Sequence, residues 1–272
     1  MKRKNVRYKL PLMLLVFGMV MVGCKKDKGD AASLQEAPKD TFIPRLSTKY
    51  EYRIAEEGVA VATATKWIDG GKDSSGIKVY NLHTNVASPY GDMALDNSLY
   101  VANGKTYTGF NMPDAWYALV TELKKTPGIE VIEARTTGFP GYMVMENSIK
   151  EGSKLTWEIP GKTGQYLKYL QKSSGSNITL EMTQEITQLP GSAVMVETIT
   201  VPAGTFTCSK FVYNSSQRQE IKMDNGLKMV RVGTENVALW MAHGIGVVKQ
   251  ENTTDFDGAT STSSIVLTNT KK

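Results

Sequence analysis

The sequence predicts an all-β, mainly antiparallel domain with one short helix. Three observations carry this. Short runs that alternate apolar and polar residues recur along most of the chain, turn-forming clusters separate them, and a single stretch spaces its apolar residues as a helix does. Short strands joined by tight turns in this way build an antiparallel barrel or a sandwich.

The start of the chain stands apart. Lys2, Arg3, Lys4, Arg7 and Lys9 give a basic opening with no acid, and residues 11–22 are almost wholly apolar. A basic segment followed by an apolar run of this length reads as a secretory leader. A permanent bilayer span needs about 20 apolar residues, which this run lacks. The run ends Met21-Val22-Gly23-Cys24. That ending resembles the bacterial lipobox, with Met21 where the pattern usually has leucine. The resemblance implies cleavage after Gly23 (leader 1–23) and acyl chains on Cys24. Two or more acyl chains anchor a protein stably where one does not. A secreted chain with a chance cysteine is the alternative.

Residues 24–46 read as a flexible tether. Lys25-Lys26-Asp27-Lys28-Gly29-Asp30 and the Ala, Ser, Gln, Glu and Pro that follow offer little to bury. The formal charge of +5 equals the five leader cations, so the chain beyond the leader is balanced. No clustered basic footprint for nucleic acid survives. With Cys24 acylated, Cys208 is left without an intramolecular partner, in an alternating run expected to bury it. Residues 47–272 are long enough for one β domain with a sizeable core.

Within that domain Tyr50, Tyr52 and Ile54 alternate with polar residues. Residues 59–68 and 77–82 flank a Gly-, Asp- and Ser-rich gap that reads as a hairpin turn. Asn111-Met112-Pro113-Asp114 opens the helix, Trp116, Leu119, Val120 and Leu123 mark its apolar face, and Thr126-Pro127-Gly128 ends it. Strands follow at 129–134, 141–145, 155–159 and 178–186, while 166–170 is ambiguous. Further strands fall at 194–201 and 205–213, and Asp224-Asn225-Gly226 is a strong hairpin signal. Residues 237–241, 244–249 and 264–267 complete the set, with a turn at 255–258.

The C-terminal third carries a second resemblance. Val201-Pro202-Ala203-Gly204-Thr205-Phe206-Thr207-Cys208-Ser209-Lys210, then Trp240, then Gly244-Ile245-Gly246-Val247-Val248-Lys249, then residues 261–267, resemble Bacteroidota lipoproteins related to the DUF3108 and TapB-like proteins. The likeness spans about 197–268. It implies a curved sheet or open barrel akin to LolA and LolB, with a β-sandwich as the alternative, and it brings no activity with it.

Candidate chemistry is sparse. His83 and His243 are the two histidines, and no Gly-x-Ser-x-Gly elbow supplies a nucleophile for either. Ser75-Gly76-Ile77-Lys78 has Ser-x-x-Lys spacing but follows a turn and not a helix start. Asp255-Phe256-Asp257-Gly258 lacks the later glutamate of a calcium loop. Glu56-Glu57 places no acids across a cleft. Trp67, Trp116, Trp157 and Trp240, with the tyrosines and methionines, pack a core or line an apolar pocket.

The reading is a non-enzymatic, lipid-anchored cell-envelope domain that binds an apolar ligand such as a lipid, or a protein partner of unknown identity. It would sit at the bacterial outer membrane, held through lipid on Cys24, on the periplasmic or cell-surface side. No cofactor, metal or nucleic acid is expected. The alternatives are a structural or assembly factor of the envelope and, third, an envelope hydrolase.

Overall fold

The structure is a computed structural model that describes residues 38–272 apart from 90, 113, 159–160 and 174–175. The leader, Cys24 and the first part of the tether lie outside the described residues. Sixteen strands and one helix follow in order: β1 (Lys49–Glu56), β2 (Val59–Ile68), β3 (Lys72–Ser74), β4 (Ile77–Ser88), β5 (Gly91–Ala102), β6 (Lys105–Phe110), α1 (Asp114–Lys125), β7 (Ile129–Thr137), β8 (Gly141–Glu146), β9 (Lys154–Glu158), β10 (Lys162–Ser173), β11 (Ser176–Gln188), β12 (Gly191–Val201), β13 (Gly204–Met223), β14 (Lys228–Ala242), β15 (Gly246–Phe256) and β16 (Ala259–Lys271).

All strand pairs are antiparallel, and the fold is a closed barrel with a side wing. Around the ring the order is β12-β9-β8-β6-β5-β4-β2-β1-β16-β15-β14-β13, and β13 pairs back onto β12. Closure pairs every strand of the ring on both sides, and the wing ends at β7. The seam is narrow where β9 meets β12, with only Gly191 facing Leu155 and Ser192 facing Lys154.

The wing grows from β13, whose 20 residues serve two neighbours on one side. Its first part pairs with β12 and its second, from Ser215 on, with β11. The split falls at Leu189-Pro190-Gly191, between the end of β11 and the start of β12. Pro190 has no N–H to give a ladder. A Cβ on Gly191 would lie 2.2 Å from the carbonyl oxygen of Val212, so only glycine lets the chain cross there. Beyond the split, β10 and β7 extend the wing, and α1 packs on it. Trp116 and Val120 meet Leu167, with Tyr169 and Met182 beside them. This is the apolar face read from the helical spacing.

Three clusters make up the remaining core, and one of them includes Tyr50, Tyr52, Ala64, Val248 and Leu267 along β1, β2, β15 and β16, with Ile54, Val86 and Ile265 packed against it. Phe42, Met145, Leu155, Phe211, Leu239 and Met241 form a second cluster, and Ile43, Ile68, Tyr80 and Leu99 form a third on the facing wall. Phe42 belongs to the second and Ile43 to the third, so this bent segment joins those two clusters.

This corrects the tether boundary. Residues 41–44 are buried, and Phe42 is only 2% exposed. The ordered domain thus begins ahead of residue 47. The segment crosses the barrel end as a plug, held by backbone bonds. Gly244 N donates to Thr41 O at 2.8 Å and Arg45 N to Gly244 O at 3.0 Å. Phe42 N donates to Thr106 Oγ1 at 3.3 Å. Burying Phe42 and Ile43 contributes about 1.5–3 kcal/mol each.

Candidate functional site

The inner face of the barrel carries a lysine on an apolar wall. Inward positions follow from the register. Ala64 and Ile68 on β2 are buried, so Lys66 between them shares their face. It pairs with Tyr50 of β1 and Thr84 of β4, both buried. Its Nζ lies 5.0 Å over the ring of Tyr52, itself in the core. Desolvation pulls its amine from the ordinary lysine range down to about 8. Among the described residues Lys66 has no ion-pair partner. Lys66 is half-buried and keeps some accessible surface.

Around Lys66 the wall is apolar. Ile54, Ala62, Val86, Leu95 and Ile265 lie on the same inner face by register and are each only partly buried. Further round, β13–β15 present a polar strip. Ser215 Oγ donates to Glu235 Oε2 at 3.3 Å, Asn252 Nδ2 donates to Glu235 Oε1 at 2.9 Å, and Gln250 Nε2 donates to Asn252 Oδ1 at 2.9 Å. Burial raises the Glu235 carboxyl above the usual range, against the pull of these two donors. β1, β16 and β15 stand between β2 and β14, and the two ionisable groups meet different partners.

The histidines do other work. His83 Nδ1 lies 2.7 Å from Asp96 Oδ1, and Nε2 lies 2.8 Å from Asp69 Oδ2. Both ring nitrogens are thus taken up by carboxylates. The ring stacks on Trp67 at 5.3 Å. His243 donates through Nε2 to Asn147 O at 3.0 Å and lies 4.7 Å from the Phe42 ring, so it clamps the plug.

The other candidates are structural. Ser75 sits in a turn at positive φ, without the helix that Ser-x-x-Lys chemistry needs. Asp257 accepts from Arg231 Nε at 2.8 Å and Asp255 accepts from Gly258 N at 3.0 Å, so both carboxylates close a hairpin. Glu57 accepts from Thr262 N at 2.6 Å. Cys208 is fully buried, and burial with the nearby Glu197 charge pushes its thiol up to about 11. Glu220 lies among Lys222, Arg218 and Lys228, whose bonds draw its carboxyl down to about 2 and keep it ionised. Among the described residues no set of three His, Cys, Asp or Glu is placed to hold a metal ion.

The tryptophans do not converge on one pocket. Trp116 is under the helix, Trp157 packs on Phe110 and Tyr213, and Trp240 donates to Glu197 Oε1 at 2.8 Å between Lys210 and Lys249. Trp67 lines an outer groove of about 530 Å³ with residues 46–49, 68–70 and 271–272. In that groove Asp69 is already bound to His83 and Lys271 to Glu51. Lys66 was missed in the sequence. The signal was its register, since a lysine in step with Ala62, Ala64 and Ile68 falls on the apolar side of its strand.

Residues 160–265 match the DUF3108-like family, starting earlier in the chain than the turn-and-glycine pattern near 197. A candidate lipoprotein from Parabacteroides distasonis is similar in structure, with TM-score 0.48 and 17% identity over 85% of this chain and 98% of that one. A candidate exported protein with a YmcC-like fold from Bacteroides fragilis is also similar, with TM-score 0.45 and 15% identity over 85% of this chain and 99% of that one. No curated protein matches the sequence.

Proposed function

We propose that this chain, which is related to the DUF3108-like family, is a lipid-anchored envelope domain whose barrel receives an apolar ligand without transforming it. One observation carries the reading. Inward-facing Ile54, Val86 and Ile265, packed beside Tyr52, Ala64 and Leu267, keep partial exposure, as do Ala62 and Leu95 on the same face. Apolar surface left accessible inside a closed ring is a ligand site by its chemistry. The anchor is the acylated Cys24, the membrane is the outer membrane, and the stretch between Cys24 and the plug spaces the barrel from it. The leader and the Met21-Val22-Gly23-Cys24 motif support that placement.

The test is native mass spectrometry of the protein purified from its own host envelope. Co-purified lipid in substoichiometric to equal amount is the expected result. A spectrum with the bare protein alone, from an envelope preparation that retains lipid on other carriers, contradicts the reading. The acyl mass on Cys24 is read in the same experiment.

A further inference from the structure

We infer that the lumen takes a single-chain amphiphile with an anionic head of the fatty-carboxylate class, its head seated on Lys66 and its chain laid along Ile54, Ala62, Val86 and Ile265. The inference deepens the ligand-binding reading above and rests on it.

An ammonium group on an apolar wall needs a counter-charge, because burying an unpaired ion costs far more than burying a paired one. The groups facing Lys66 supply none. From β1 come the phenols of Tyr50 and Tyr52, and from β4 the hydroxyl of Thr84. Tyr50 and Tyr52 are already engaged, their hydroxyls donating to Gly244 O at 3.0 Å and Val247 O at 2.9 Å. The inner carboxylate of Glu235 is held by Ser215 and Asn252. The missing partner is therefore an anion brought from outside. The surface that leads to Lys66 is apolar, so a small hydrated anion gains little there, while an anion on an alkyl chain gains from both ends. A neutral lipid fills the wall and leaves the cation bare. The low amine pKa fits a cation awaiting its partner, and a bound carboxylate would raise it again.

The experiment uses the full chain bearing Cys24→Ser, so that its own acyl chains do not compete. Binding of dodecanoate, dodecanol and acetate is measured by titration calorimetry. Dodecanoate should bind about tenfold or more tighter than dodecanol, the margin of a charge-assisted bond, and acetate should not bind measurably. Lys66→Met should erase the preference and keep dodecanol binding, while Lys66→Arg should retain the preference. Acetylation of the unsubstituted Lys66 by acetic anhydride, read by peptide mass, needs no variant at this position. Dodecanoate should shield the amine and dodecanol should not. Equal binding of dodecanoate and dodecanol, or equal labelling of Lys66 with and without dodecanoate, overturns this inference and leaves the apolar-ligand reading standing. Binding of neither amphiphile overturns both.

Discussion

The hydroxyl of Tyr50 donates to the carbonyl of Gly244 at 3.0 Å, joining the first strand of the barrel to the turn between β14 and β15 across 194 positions of sequence. The same oxygen accepts from Arg45 N at 3.1 Å, and desolvation holds the phenol protonated by raising its pKa. One side chain thus ties the plug, the first strand and the hairpin turn. Tyr50→Phe removes both bonds and keeps the ring. It should lower stability by about 1–2 kcal/mol, seen as a lower urea midpoint at unchanged slope.

Phe42 tests whether the plug belongs to the core. Its ring lies 6.0 Å from Phe211 in edge contact and packs in the cluster with Met145 and Leu155. Phe42→Ala should cost about 3–5 kcal/mol in chemical denaturation. A change under about 1 kcal/mol would mean that the segment is a tether to Leu46 after all.

Lys66 gives a pH dependence with a definite sign. Its folded pKa of about 8 lies below the unfolded value of about 10.4. Between those values the unfolded chain holds more protons, so this group makes stability rise with pH. The penalty is fully present below about pH 8 and gone above about pH 10.4. Lys66→Met lacks this slope. The variant should exceed the parent by about 2–3 kcal/mol more at pH 7 than at pH 10.5 in paired denaturation curves.

Cys208 should be inert while the fold stands. Its thiol is fully buried and pushed up to about 11, first by burial and then by Glu197. Alkylation by iodoacetamide at pH 8 should run at least about 100-fold slower in the native protein than in urea, timed by mass. Equal rates would place the thiol at the surface.

Much of the fold was legible from alternation. The strands around Tyr50, Tyr52 and Ile54, the Asp224-Asn225-Gly226 hairpin and the helix face at Trp116 and Val120 lie where the residue pattern puts them. β5 and β6 were passed over, because Asp92, Asp96 and Asn97 dilute the apolar alternation of Met93, Leu95 and Leu99. The ambiguous run near Tyr166 is the middle of β10, ordered by neighbours on both sides.

By itself the sequence determined the strand-rich class and the single helix, because periodicity and turn residues act between near neighbours. Tertiary structure decided the rest. It bent twelve strands into a ring at the Leu189-Pro190-Gly191 split, drew Phe42 and Ile43 inside, and left Lys66 facing an apolar lumen without a counter-charge. Those outcomes depend on which distant strands pair and in what register. A one-residue change of register would turn Lys66 to the outer face.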